Sequence, residues 1–386
     1  MIPLSIPNFE GNELEYVTDA VAQGWVSTGG EYITALEKKV AEFVNAPKAV
    51  ACQSGTAALH LSLMECEVKA GELVIVPTLT FIAAVNPIRY MGADPVFMDC
   101  DDSLCMDPVK LCSFCENQCT LTENGLIHKK TGKRIRAMIV VHVFGNMADM
   151  EQIMEIAARY QLKVIEDATE ALGTRYTDGN YAGQYAGMIG DFGAYSFNGN
   201  KIITTGGGGM VVSRNQEALA HIQHISTQAK EDPLFYIHDE VGYNYRMTNV
   251  QAAIGVAQME LLPVFIERKN QNYDKYCIQL TGFERGRLKS FREGTYSNKW
   301  FYALEIADSA IDMRTLVNEL SETGIQTRTI WGLIHQQRPY HNCIAYQIER
   351  AEYYSKCILN LPCSTNLIED EIIEVCEKVR KCLNDK

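Results

Sequence analysis

The chain has 386 residues, 47% hydrophobic and 22% charged, with a formal net charge of −13. That length and composition bury a core and allow two or three domains at roughly 100–200 residues each. The acidic balance excludes a non-specific nucleic-acid or anionic-membrane surface, which needs clustered Lys and Arg, so any bound phosphate must be held by a local site.

In residues 12–23, Leu14, Val17, Ala20 and Val21 recur at helical spacing, and Gly24 stops the helix. Residues 25–30 form a glycine-bearing loop, either a plain connection or a substrate-lining one, before a second helix over 32–44. A short apolar strand then ends in Gln53-Ser54-Gly55-Thr56, where a helix starts at once. A helix N-terminus offers free N–H groups and the positive dipole end, so Ser54, Gly55 and Thr56 make a phosphate cradle. Neither the GxGxxG nor the GxxxxGK[ST] pattern occurs in the chain.

Residues 73–77 read as a buried strand, and residues 78–81 open a helix running to Met91. Phe81, just past the strand, either stacks on a flat ligand ring or belongs to the core. Residues 95–99 are another strand. Cys112, Cys115 and Cys119, with Cys105 nearby, match either a metal cluster or neighbouring turns of one helix over 108–117; the helix is the reading adopted, and no metal is assigned. Asn124-Gly125 and Thr131-Gly132 mark a hairpin. Thirteen cysteines, an odd and scattered set, fit reduced thiols. The opening residues show no basic region or long apolar run, and no window approaches the ~20 apolar residues of a membrane span, so the expected location is the cytoplasm.

Residues 137–144 form a near-continuous apolar strand of the parallel-sheet type, followed by a helix over 150–160. His142, near that strand's end, is either a satisfied core group or a ligand contact. The next strand, 162–166, runs into Asp167, either a helix N-cap or the partner of a buried cation such as a protonated pyridine nitrogen. Residues 191–197 lead to Lys201 and four consecutive glycines, Gly206 to Gly209, with apolar flanks and Ser196 five residues before the lysine. A partly desolvated lysine held neutral can form a Schiff base with an aldehyde.

Pro263 is expected to break the helix that starts near residue 250, placing a domain boundary there: residues 1–262 a large domain with an N-terminal arm, residues 263–386 a smaller α+β domain. Alternating strands and helices over 45–262 imply an α/β fold with a largely parallel sheet. An amine, an acid, an anion cradle and an aromatic at strand ends are what pyridoxal 5'-phosphate needs.

Ser54-Gly-Thr-Ala-Ala-Leu59, Val76-Pro-Thr-Leu-Thr-Phe81, Glu166-Asp-Ala-Thr-Glu-Ala-Leu-Gly173, Ser196-Phe-Asn-Gly-Asn-Lys201 and Gly242-Tyr-Asn-Tyr-Arg246 resemble the DegT/DnrJ/StrS family of pyridoxal-phosphate sugar aminotransferases. That family has the aspartate-aminotransferase-like fold, fold type I, and the resemblance covers essentially the whole chain. It implies that Lys201 is the Schiff-base lysine and proton shuttle, that Asp167 pairs with the pyridine nitrogen, that Phe81 stacks on the ring, and that Gly55, Thr56 and Ser196, beside Ser54, hold the phosphate. Asn244 would reach the phosphate in a neighbouring subunit, so a homodimer with shared active sites is implied. Glu170 stands near the cofactor's phenolic oxygen, where many relatives carry glutamine, and should be protonated or paired.

The nearest subgroup is similar to LegC-type enzymes. This implies a nucleotide-linked 4-keto-6-deoxy-N-acetylhexosamine as acceptor, L-glutamate as donor, and a 4-amino sugar for legionaminic acid or bacillosamine synthesis. Arg246, Arg328 and His335 are candidates to line the diphosphate pocket, and His142 a further one. Rival readings are another keto sugar nucleotide as substrate, or a cofactor-binding sensor without catalysis.

Overall fold

The computed structural model describes residues 1–232, 234–308 and 311–384. At its centre lies a ten-stranded sheet. Its middle strands, Leu73–Pro77, Arg134–Val141 and Lys163–Asp167, are runs rich in Val and Ile with almost every residue buried, as expected of strands covered on both faces. The order from one edge is Ala49–Cys52, Gly209–Val212, Phe192–Ser196, Lys163–Asp167, Arg134–Val141, Leu73–Pro77, Asp94–Met98 and Ile344–Tyr346. Neighbours pair in parallel from Phe192–Ser196 onward, whereas Gly209–Val212 runs antiparallel to both of its neighbours. The C-terminal ends of the parallel strands and the N-terminal end of Gly209–Val212 therefore share one edge. Open α/β sheets place ligands at such an edge. The hairpin expected near Asn124 is present, pairing Cys119–Thr122 with Gly125–His128.

Two expectations fail in instructive ways. No continuous helix runs from Thr78 to Met91: a single turn, Ile82–Ala84, precedes the short helix Asn86–Tyr90. Pro87 has no N–H to donate back to Ala83. Conversely, Pro263 breaks nothing and lies inside the 31-residue helix Asn249–Gln279. An interior proline costs a helix about 3 kcal/mol, but Leu262, Phe265 and Ile266 are buried on the turns around it, and packing holds both halves in line. This helix lies against Glu13–Ala22, Glu31–Val44 and the C-terminal helix Glu369–Asn384. Among the described residues it alone is long and apolar enough to cross a membrane, and most of its apolar window is buried.

A second sheet, of four strands, has the order Gly286–Leu288, Tyr302–Ile306, Ile358–Leu361, Arg328–Thr329. The N-terminal arm lies against this part of the chain: Ile2 N–H donates to Gly324 O at 2.8 Å, and Cys363 N–H to Leu4 O at 2.8 Å.

Candidate active site

A cavity of about 610 Å³ opens where the strand ends meet the second sheet. Ser54, Gly55, Thr56, Phe81, Asp167, Glu170, Ser196, Lys201 and Arg328 all line it. The loops that carry them leave adjacent strands at one edge, so residues more than a hundred positions apart converge.

Ser54 does not point its hydroxyl into the cavity as a free ligand. It caps the helix Gly55–Glu65 by accepting from Ala57 N–H at 3.0 Å. The cap fixes the first turn, whose leading amides have no intrahelical partner. Gly55 must be glycine: a Cβ there would come within 2.9 Å of Thr169 Cγ2 and 3.0 Å of Ser196 Cβ. Three motifs thus meet at one point of the helix N-terminus. Gly209 serves a similar end, since a Cβ there would sit 2.4 Å from the Ser54 carbonyl, and the glycine run is what lets that strand pass so close.

The lysine, the glutamate and an indole form a compact group. Lys201 Nζ lies 3.5 Å from Glu170 Oε1 and 4.2 Å from the centre of the Trp300 ring. The other Glu170 oxygen accepts from Phe144 N–H at 2.8 Å, presented by a backbone at φ 57°. Burial pushes the Glu170 carboxyl up to about 7 despite the Lys201 ammonium and that amide, and the neighbouring Asp167 adds to the rise.

Asp167 is also buried; Thr169 N–H donates to its Oδ1 at 3.1 Å, and it has no ion pair among the described residues. Burial raises its pKa, with the Thr169 hydrogen bonds and the Lys201 charge opposing. A buried carboxylate lining a cavity without a paired cation is costly. A protonated ring nitrogen is the group that would relieve it, so the residues present fit pyridoxal phosphate. Phe81, 55% exposed, stands free at the cavity wall. The wall also carries Phe144, Trp300, Phe301 and Trp331, with Phe144 centred 5.0 Å from Trp331 and Trp300 stacked on Phe301 at 4.0 Å. Phe144 comes from the turn after Arg134–Val141, whereas Trp300, Phe301 and Trp331 reach the cavity from the second sheet and its loops, where no spacing in the sequence marks them.

Two expected substrate contacts are corrected. Arg246 lies outside the cavity lining: its guanidinium is neutralised by Glu37 and donates to Ala51 O at 3.2 Å. It thereby clamps the edge strand to the second helix. His335 likewise lies outside the lining, with Nδ1 2.7 Å from Thr78 Oγ1, and joins the loop after the second sheet to the end of Leu73–Pro77. His142 is fully buried; Nδ1 accepts from Ala148 N–H at 3.1 Å, so Nε2–H donates to Glu166 at 2.9 Å. It is a satisfied core group. Asn244 is exposed and does not line the cavity. Among the described residues, the one His/Cys/Asp/Glu group with ligand atoms close together is His224, Asp239 and Glu240; the cysteines of 105–119 form no such group.

A family model described as the DegT/DnrJ/EryC1/StrS aminotransferase family matches residues 7–380. The chain belongs to this family. Among its relatives are GDP-perosamine synthases from Escherichia coli O157:H7, 36% identical over 100% of this chain and 99% of that one, and from Caulobacter vibrioides, 34% identical over 97% and 96%. The aminotransferase TlmJ from Streptoalloteichus hindustanus superposes with a TM-score of 0.89 at 25% identity, covering 100% of this chain and 99% of that one. The fold is therefore fold type I, and the protein is a pyridoxal-phosphate-dependent enzyme of a family of sugar aminotransferases.

Proposed function

We propose that the enzyme transfers an amino group from L-glutamate to the C4 ketone of a nucleotide-linked 4-keto-6-deoxy-N-acetylhexosamine, giving a 4-amino sugar of the LegC type for legionaminic acid or bacillosamine synthesis. The observation that carries transamination is the juxtaposition of Lys201, Glu170 and Asp167 in one cavity beneath a helix N-terminus. The acetamido sugar rests on the match of residues 166–173 and 196–209 to that subgroup. A GDP-linked acceptor is the second reading, favoured by the GDP-perosamine synthases among the relatives.

Bound pyridoxal phosphate supplies an aldehyde carbon that carries the amino group and a ring that takes up electrons when the donor's α-carbon loses its proton. Gly55 and Thr56, at the helix start, with Ser196 alongside and Ser54 capping the turn, hold the phosphate. Asp167 would keep the ring nitrogen protonated, and Phe81 would cover the ring face. Lys201 would be the side chain that holds the aldehyde end of the cofactor, and its amine, once free, would serve as general base and acid at the donor's α-carbon. Glu170, with a pKa near neutrality, would hold or release a proton beside Lys201 and orient its amine.

The working unit proposed is a homodimer in which Asn244 completes the partner's phosphate site. Two observations support it: Asn244 is exposed outside its own cavity, and Leu234, Phe235, Tyr236 and Val241 nearby are more than two-thirds exposed, a patch that favours burial against a second copy. A large domain of 1–262 and a small one of 263–386, joined through the helix Asn249–Gln279, is the proposed division.

The test is a product assay. The enzyme loaded with pyridoxal phosphate is given L-glutamate and either the UDP- or the GDP-linked 4-keto-6-deoxy sugar, and mass spectrometry follows the ketone-to-amine change. Conversion of the acetamido sugar, UDP- or GDP-linked, supports the first reading. Conversion only of a GDP-linked sugar without the acetamido group supports the second, and conversion of none refutes both.

A further inference from the structure

The cavity wall opposite the strand ends contains a polar pair that the cofactor chemistry leaves unused. Asn360, in the central strand Ile358–Leu361, lies directly opposite Ala303 on one side and Arg328 on the other. Directly opposed residues of an antiparallel pair project to the same face. Both Asn360 and Arg328 line the cavity. Asn360 is only 3% exposed, yet its Oδ1 accepts no hydrogen bond. Ala303 has no donor to offer it. The Arg328 guanidinium makes no ion pair or hydrogen bond among the described residues, although acids outnumber bases in the chain, 48 to 35. Buried polar groups without partners are rare and call for an explanation. Here a buried acceptor without a partner stands beside the exposed guanidinium of Arg328 on one cavity wall.

The ligand edge that satisfies both must present an anionic oxygen next to a hydrogen-bond donor. A glycosyl diphosphate does so: the phosphorus joined through O1 to C1 carries anionic oxygens, and a hydroxyl or acylamino N–H sits on neighbouring C2. C4 lies across the ring from C1, which turns the ketone away from this wall. An α-amino acid donor also carries anionic oxygens, but its donor hydrogens are on the nitrogen that must reach Lys201. We infer that Asn360 and Arg328 form the subsite for the C1–C2 edge of the sugar, Arg328 taking the diphosphate and Asn360 reading the C2 substituent. This rests on the sugar-nucleotide reading above and makes Asn360 a specificity-determining residue of that site.

The experiment separates the two half-reactions in Asn360→Ala, loaded with pyridoxal phosphate. Circular dichroism and retained cofactor absorbance verify folding, and Asn360→Ser is the substitute should the alanine variant not fold. The expected result is a rise of about tenfold or more in KM for the keto sugar nucleotide, the loss of one hydrogen bond to a buried group. Conversion of the cofactor by L-glutamate alone should keep its rate within about twofold. A 2-deoxy analogue of the sugar nucleotide should bind wild type and variant equally in calorimetry. An unchanged sugar KM, or a slowed glutamate half-reaction with sugar binding intact, would overturn the assignment; the latter would give the pair to the amino donor's carboxylate. Wild-type enzyme that responds to glutamate but binds neither UDP- nor GDP-linked keto sugar would overturn the sugar reading itself, and the subsite with it.

Discussion

Glu170 Oε1 lies 3.5 Å from Lys201 Nζ, so the buried acid and the lysine at the cavity wall are paired. Two opposing influences set the protonation of Glu170: burial favours the protonated acid, and the lysine steadies the ionised form.

A pH dependence follows. Burial raises the Glu170 pKa from 4.5 to about 7, so the folded chain binds more protons than the unfolded chain between those values. Stability from this group is fully present below the unfolded pKa and is lost as pH rises through the folded one, by at most roughly 3 kcal/mol. Thermal unfolding of the cofactor-free protein between pH 5 and 7.5 should therefore show a component that Glu170→Gln removes. An identical pH profile in the variant contradicts the raised Glu170 pKa.

Lys201→Ala should retain the fold and lose transamination by at least ~10³-fold, since the variant lacks both the covalent anchor and the proton shuttle. Turnover assays with the circular dichroism spectrum as control decide it. Substantial activity in the variant removes Lys201 from the chemistry.

Asp167→Asn should separate stability from function. Removing a buried carboxylate without an ion pair leaves the cofactor-free protein as stable as wild type or more so. Loss of a charge-assisted contact to the ring nitrogen weakens cofactor binding about 10- to 100-fold. Melting temperatures with and without pyridoxal phosphate test both; a destabilised cofactor-free variant with normal cofactor affinity would show that Asp167 is structural.

Gly55→Ala should cost about 1–3 kcal/mol from the contacts its Cβ would make with Thr169 and Ser196. It should also weaken phosphate retention, because the helix start must move. Denaturant unfolding and cofactor titration read the two effects separately.

If sites are shared, mixing Lys201→Ala with Asn244→Ala subunits regenerates one intact site per mixed dimer and restores part of the activity. No recovery after subunit exchange has been verified by mass spectrometry would count against the shared site.

Much of this was legible in the chain because the groups that line the cavity sit in short local motifs. An apolar run followed by Ser54-Gly55-Thr56, or by Asp167, announces a strand end, and strand ends in a parallel sheet share one edge. The failures have a common physical origin. Arg246 and His335 are polar residues in polar segments, and only the folded chain shows that Glu37 and Thr78 have already claimed them. Pro263 reads as a breaker until the packing on both sides is seen. Trp300, Trp331 and Asn360 enter the cavity through the apposition of two sheets, which no local pattern encodes.

The most direct test of the central claim is the visible absorption spectrum of the purified protein with pyridoxal phosphate, before and after L-glutamate. The account predicts a yellow band that depends on Lys201 and that glutamate converts to the pyridoxamine form. A protein with no such band, or a band that persists unchanged in Lys201→Ala, would contradict it.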